Sequence, residues 1–198
     1  MNNSGLDERL AAVRLIAMDV DGVLTDGRIT WSCIDLSGQE TLFESKSFSA
    51  RDGLGMGLAR AAGLELAWIT GRRSAIVEKR AAELGGVHLF QGVRDKSAIL
   101  GLLMDRLGLA PEQVLYIGDD LNDLPAFGAA GVRVAPSDGA EEVRLQADWV
   151  TAAAGGEGVA REVIEAALFA QECAESAAAA FLDALTRSRS EETACPPN

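Results

Sequence analysis

The stretch Leu15-Ile16-Ala17-Met18-Asp19-Val20-Asp21-Gly22-Val23 decides how the rest of the chain is read. Its apolar lead has the character of a buried strand, and two carboxylates, two residues apart, fall where that strand should end. Open α/β sheets bind ligands at the carboxyl ends of their strands. An acidic pair there offers oxygen ligands to a hard divalent cation, and Gly22 lets the chain turn sharply away. A second apolar run, Val114-Leu115-Tyr116-Ile117, leads into Gly118-Asp119-Asp120-Leu121-Asn122-Asp123. Two strand ends that both terminate in acids point to one metal-dependent phosphate site.

Working outward, the apolar runs Leu15–Val20, Leu64–Thr70, Val87–Phe90, Val114–Ile117 and Val132–Ala135 are short and bounded by Gly, Asp or Thr. They read as buried parallel strands. Helical stripes lie between them, one through Ile76, Val77, Ala81 and Leu84 (interrupted by Arg80) and one through Ile99, Leu100, Leu103, Met104 and Leu107. Gly85 and Gly108 follow as stop signals. This alternation predicts an α/β fold, a doubly wound (Rossmann-like) parallel sheet flanked by helices. Residues 28–47 break the rhythm with Thr, Trp, Ile and Phe around a Ser37-Gly38 turn, and predict a β-hairpin inserted after the first strand. An isolated hairpin cannot bury both faces, so Trp31 and Phe43 are expected at a subunit contact. The segment from Glu157 to Arg187 is Ala-rich and predicts one or two terminal helices, and Ser188–Asn198 is expected to be disordered. The expected division is an N-terminal arm at 1–13, a main domain at 14–171 and a tail at 172–198.

The remaining strand ends also carry polar groups. Ile69 is followed by Thr70-Gly71-Arg72-Arg73, a hydroxyl, a flexible glycine and two cations. Gln91-Gly92-Val93-Arg94-Asp95-Lys96 follows the third strand and opens a helix at Lys96. Acid pair, hydroxyl, ammonium and acid cluster thus occur in order, each behind an apolar run.

That order resembles the haloacid dehalogenase-like phosphohydrolase superfamily from about Leu15 to Gln171. The resemblance implies Asp19 as nucleophile, Asp21 as general acid and base, and Thr70 and Lys96 as catalytic phosphate ligands. It also implies a Mg2+ ion held by Asp19, Asp21 (through its backbone carbonyl) and Asp119, with Asp120 and Asp123 behind it, orienting Lys96 or metal-bound water. The hairpin directly behind the acid pair, the absence of a bulky cap domain, and Phe48-Ser49-Ala50-Arg51-Asp52-Gly53 narrow the likeness. So do Ile69-Thr70-Gly71-Arg72 and Gly155-Gly156-Glu157-Gly158. Together they are similar to the capless 3-deoxy-D-manno-octulosonate 8-phosphate phosphatases of lipopolysaccharide sugar biosynthesis.

This narrower resemblance implies a homotetramer acting on a small sugar acid phosphate, with Asp21, Ser49, Ala50, Arg51, Asp52, Gly53, Thr70, Gly71, Arg72, Arg80 and Lys96 touching substrate. Arg72 and Arg80, eight residues apart on one predicted helix, are expected to share a face suited to a sugar acid's carboxylate. Three features depart from the pattern. The hairpin is several residues longer, Gly57 stands where those relatives place a cation (with Arg60 as its substitute), and the Gly-Gly-Glu-Gly and Asp-Leu-Asn-Asp forms also resemble phosphatases of nonulosonate 9-phosphates. Those siblings carry Glu at the Arg72 position, so the eight-carbon acid is the leading substrate. A catalytically silent assembly module of the same fold is the reading from another class.

Composition bounds these readings. Among 198 residues, 48% hydrophobic content suffices for one core, and no apolar stretch is long enough to span a bilayer. The start of the chain lacks the features of a secretion signal. Cys33, Cys173 and Cys195 are scattered without metal-ligand spacing, which fits a reduced, cytoplasmic setting. A net charge of −12 argues against nucleic acid or an anionic membrane as partner. It also means that an anionic substrate needs a bound cation and a local basic cluster.

Overall fold

The computed structural model describes residues 4–36 and 38–194. Strands β1 (Leu15–Met18), β4 (Glu65–Thr70), β5 (Val87–Gln91), β6 (Val114–Ile117), β7 (Val132–Ala135) and β8 (Trp149–Val150) form one parallel sheet ordered β5-β4-β1-β6-β7-β8. The strand ends lie within two residues of the apolar runs, and β8 is a two-residue edge strand too short to leave a pattern. Every strand residue of β1 and β6 is buried. Alternation then sorts them between two cores: Ile16, Met18, Leu115 and Ile117 enter one, and Leu15, Ala17, Val114 and Tyr116 the other. Both faces of the sheet are covered, which is why the strands read as continuous apolar runs rather than alternating ones.

The first core is closed by α1 (Ser4–Ala12), α2 (Ala50–Ala61), α3 (Ala75–Leu84), α7 (Val159–Ala170) and α8 (Ala174–Ala194). The second is closed by α4 (Lys96–Leu107) and two single-turn helices, α5 (Leu124–Phe127) and α6 (Glu141–Arg144). From β1 the chain builds outward through β4 and β5, then returns to lay β6, β7 and β8 on the other side. The strand order reverses at β1, so the carboxyl ends of β4, β1 and β6 diverge around a crevice at the topological switch point.

Behind β1 the chain forms the hairpin β2 (Thr30–Leu36) and β3 (Gln39–Ser45), paired antiparallel from Thr30–Ser45 to Leu36–Gln39. Ser37 of the expected turn lies outside the described residues, and Gly38 takes the positive φ (83°) such turns require. Trp31 is 58% and Leu42 66% exposed, and Phe43 is also exposed. Residues 4–12, expected as an arm, form α1, and Ser188–Ala194, expected to lose order, continue the backbone of α8. Residues 195–198 lie outside the described set.

Asp52, expected to touch substrate, is only 3% exposed on α2, and its Oδ1 accepts the Arg161 N–H at 2.9 Å. Helix α7 begins after Gly158, which has no side chain to cap it, so Asp52 supplies the missing cap from a neighbouring helix. Its other oxygen has no partner. Burial pushes its carboxyl up to about 6, against the opposing pull of the Arg161 and Ala160 N–H groups and Arg80. A folded value above the unfolded one means the folded state holds the proton more tightly. The resulting stability is complete below about pH 4 and is lost as pH rises through about 6. Denaturant titrations of wild type and Asp52→Asn should therefore diverge. Relative to the variant, wild type should lose on the order of 2 kcal/mol between pH 4 and pH 7, whereas parallel curves would remove the burial argument.

Candidate active site

The crevice at the switch point is a cleft of about 240 Å3 lined by Asp19, Asp21, Thr70, Gly71, Arg72, Asp119 and Asp120, among others. Each comes from the loop that leaves a central strand. Asp19 follows β1 and is 5% exposed, and its Oδ1 accepts the Val20 N–H at 2.7 Å. Gly22 turns the chain away at φ +95°, and a Cβ on it would run into the Asp119 carboxylate. Glycine there lets the loops after β1 and β6 approach each other, which brings the two acids together.

The charges are arranged in a buried chain. Lys96, the first residue of α4, is 1% exposed, and its Nζ stands 2.9 Å from Asp19 Oδ2 and 2.6 Å from Asp123 Oδ1. Asp95 caps that helix through the Ala98 N–H at 3.0 Å, which fixes where Lys96 leaves the backbone. Asp123 is fully buried. It also accepts the Tyr116 hydroxyl at 2.8 Å on Oδ1 and the Asp119 and Asp120 N–H groups at 3.1 and 3.4 Å on Oδ2. Asp123 therefore orients Lys96, while the exposed Asp120 is turned to the Leu121 N–H at 2.7 Å. Burial works against the Lys96 ammonium, but Asp19 and Asp123 outweigh it and hold its pKa above the usual value. Burial also raises the Tyr116 hydroxyl, helped by the charge of Asp123, so it stays a donor.

Oxygens of Asp19, Asp119 and Asp123 lie within 4.8 Å of one another. Burial pushes Asp19 up to about 6 despite Lys96, and burial together with the charges of Asp19 and Asp123 pushes Asp119 up to about 8. Asp119 Oδ1 is buried and has no hydrogen-bond partner. Converging carboxylates with an orphaned oxygen fit a hard divalent cation. The Asp21 carboxylate is not part of that cluster. It pairs with the Lys46 ammonium and lies 3.8 Å from Arg72 Nε.

The remaining candidates divide. Thr70 is buried at the end of β4, with its Oγ1 accepting the Arg72 N–H at 3.3 Å, which leaves its own proton to donate into the cleft. Arg72 reaches the cleft, but it precedes α3 rather than lying on it, so it shares no helix face with Arg80. Arg80 instead lies against Gly53, where an added Cβ would stand 2.6 Å from its guanidinium, and pairs with Glu83 at 3.4 Å. Ser49 caps α2 through the Arg51 N–H at 3.2 Å, and Ala50 and Arg51 are exposed on that helix's first turn. Within one chain, Ser49–Gly53 and Arg80 are therefore not brought to the cleft with Asp19. Gly57 is covered by the Phe181 ring of α8, and Arg60 donates to the Leu84 carbonyl.

Glu44 and Lys46 escaped the sequence reading, although a signal for them exists. Along Phe43-Glu44-Ser45-Lys46-Ser47-Phe48, the residues 44, 46 and 48 are covered while 43, 45 and 47 are exposed. That alternation at the foot of a hairpin aims two charges inward.

The haloacid dehalogenase-like hydrolase family pattern matches residues 62–163. The 3-deoxy-D-manno-octulosonate 8-phosphate phosphatase KdsC of Salmonella typhi is 43% identical over 159 residues, 80% of this chain and 81% of that protein. The crystal structure of the corresponding phosphatase from Moraxella catarrhalis, in complex with magnesium ion, phosphate ion and KDO, superposes with a TM-score of 0.82. It is 39% identical, and the match covers 91% of this chain and 99% of that one. The cobalt-bound phosphatase from Haemophilus influenzae follows at a TM-score of 0.77 and 37% identity, covering 88% and 99%. The chain belongs to the haloacid dehalogenase-like hydrolases, in their octulosonate phosphatase branch.

Without a cation, the raised values of Asp19 and Asp119 have a thermodynamic sign. The folded chain binds their protons more tightly than the unfolded chain, so stability present at low pH is lost as pH rises through about 6 and then about 8. A divalent cation should offset this loss. At pH 8, a hundredfold excess over Kd should raise the melting temperature by about 5 °C or more. Asp119→Asn should erase most of that gain, and an equal gain in the variant would place the ion elsewhere.

Proposed function

We propose that this chain is a Mg2+-dependent phosphatase that hydrolyses 3-deoxy-D-manno-octulosonate 8-phosphate to the free sugar acid and phosphate through an aspartyl-phosphate on Asp19. The observation that carries the reading is the Asp19 carboxylate at the end of β1, held 2.9 Å from the Lys96 ammonium beside the orphaned Asp119 oxygen. The names of the relatives supply the substrate.

Asp19, Asp119 and the backbone at Asp21 would hold the ion, which, when bound, offsets the charge between nucleophile and phosphate. Asp19 Oδ forms the new bond to phosphorus as the bond from phosphorus to the sugar's 8-oxygen breaks, and Asp21 delivers the proton that oxygen needs. Asp21 then takes a proton from water as that water attacks phosphorus, which releases phosphate and restores Asp19. The Thr70 hydroxyl, the backbone at Gly71 and the Lys96 ammonium hold the phosphoryl oxygens as charge redistributes. Arg72 offers its guanidinium to the sugar's carboxylate, a role the nine-carbon alternative would assign to a different residue type.

The exposed apolar residues of the hairpin fit association of four copies through β2 and β3, with the reaction in the cytoplasm. Residues 14–171 serve as the hydrolase unit, with the tail as a separate appendage whose helix α8 meets α2 where Phe181 covers Gly57. Among the described residues no helix is long and apolar enough to cross a membrane.

Purified protein should release phosphate from the octulosonate ester only with Mg2+, and Asp19→Asn should lower kcat by at least about a thousandfold. Activity retained in that variant would discard the nucleophile. Arg72→Glu should reduce kcat/KM for the octulosonate ester about tenfold more than for an aryl phosphate, and equal losses would deny it a role in reading substrate. Trp31→Glu should shift the sizing profile from a tetramer towards smaller species, and an unchanged profile would move the contact off the hairpin.

A further inference from the structure

The foot of the hairpin contacts two residues that line the cleft, Asp21 and Arg72. Lys46 pairs with Asp21 Oδ1 although its side chain is only 1% exposed, and its ammonium lies 3.7 Å from Glu44 Oε1. Glu44 Oε1 accepts from Arg72 Nη2 at 3.0 Å, and Arg72 Nε in turn faces Asp21 Oδ2 at 3.8 Å. Each cation thus stands between two acids, and the four side chains close a ring of alternating charge. The ring is anchored from the sheet. Ser74 Oγ donates to Glu44 Oε2 at 2.6 Å, and the Ser74 N–H donates to Gln91 Oε1 at the end of β5 at 2.8 Å. Burial works against the Glu44 charge, but the bonds from Ser74 and Arg72 prevail and hold its carboxyl below the usual range.

We propose that Glu44 and Lys46 are positioning residues of the reaction: Lys46 sets the rotamer of the Asp21 carboxylate, and Glu44 aims Arg72 at the sugar acid. The inference rests on the phosphatase reading given above. A buried ammonium is costly unless it is paired, and replacing such pairs by apolar residues is often neutral or stabilising, so stability alone does not account for this ring. Geometry does. Lys46 pairs with Oδ1 of the acid/base carboxylate and so holds the Asp21 side chain apart from the cation cluster of Asp19 and Asp119. Glu44 occupies one edge of the Arg72 guanidinium and Asp21 faces its Nε. The donors that remain belong to a side chain 37% exposed at the cleft mouth. A planar fork held on one edge presents the other in a fixed direction, which a free arginine does not. The hairpin then couples assembly to chemistry, because β3 carries exposed Phe43 on one face and Glu44 on the other.

The test uses the intact protein with Mg2+, the octulosonate ester and p-nitrophenyl phosphate. Lys46→Met should lower kcat on both esters by about tenfold or more with KM little moved, and Lys46→Arg should recover part of the loss. Glu44→Gln should raise KM for the octulosonate ester by about tenfold and weaken the aryl reaction less. Combined with Arg72→Gln, it should add no more than about twofold to the loss of Arg72→Gln alone, because it acts through that residue. Multiplying losses in the double variant, or a Lys46→Met kcat equal to wild type, would overturn the proposal. If Lys46→Met melts early, Lys46→Arg and the Glu44 cycle decide the matter. If wild type hydrolyses the aryl ester and leaves the octulosonate ester intact, the substrate assignment is wrong. The Lys46 variants on the aryl ester then still decide the positioning of Asp21.

Discussion

The structure depends on holding like charges together in a place from which water is largely removed. Asp19, Asp119 and Asp123 converge within 4.8 Å where the loops after β1 and β6 meet, and two of them are buried outright. Such a cluster repels itself, and a polypeptide can keep it only by supplying compensation from fixed positions. Lys96 supplies charge from the first turn of α4, Tyr116 supplies a hydroxyl from inside β6, and two N–H groups come from the turn after β6. The hydrophobic layers on both faces of the sheet are what make those positions rigid, so the second core of Leu100, Leu103 and Phe127 serves the site by fixing α4 and β6.

A topological constraint follows. Only at the strand whose neighbours are laid down in opposite directions do loops part enough to leave a crevice, and here that strand is β1. Gly22 then becomes a requirement of the site and not of the turn alone. Its missing Cβ is the space the Asp119 carboxylate fills. Asp52 is the counterpart on the supporting side, spending a buried carboxylate on the start of α7. The adjoining Gly155–Gly156 stretch packs against the backbone of Gly22 and Thr25. The loop that carries Asp19 is thereby braced from behind.

How much of this could be read from residues alone is settled by the range of the interaction. The apolar runs foretold five strands of the sheet because both faces are covered, and a strand buried twice leaves a continuous signal. The acids and Thr70 could be placed because each sits directly behind such a run. Arg72 and Arg80 could not be apportioned, since the four loop residues 71–74 before α3 decide whether they share a face, and Ser74 rather than an earlier residue is the N-cap of that helix. The capping role of Asp52 was not legible because capping a distant helix is a tertiary event with no local pattern. Glu44 and Lys46 leave an alternation, but charges aimed inward from a hairpin gain meaning only once their opposite numbers, Asp21 and Arg72, are known to lie across the cleft.

The electrostatic difficulty posed by a chain of net charge −12 has a local solution. Five shielded carboxylates, Asp19, Asp21, Glu44, Asp119 and Asp123, face three cations, Lys46, Arg72 and Lys96. The excess is two negative charges, the amount a divalent cation cancels. Without the cation, burial together with the charges of Asp19 and Asp123 pushes Asp119 up to about 8, so a proton there can offset part of the excess. Protonation and cation binding are therefore alternatives at one place, and the cation-bound site is close to neutral before substrate arrives. In the proposed reaction an incoming phosphate would then meet Lys96 without the long-range repulsion that the surface charge imposes elsewhere, because burial confines that balance to the cleft.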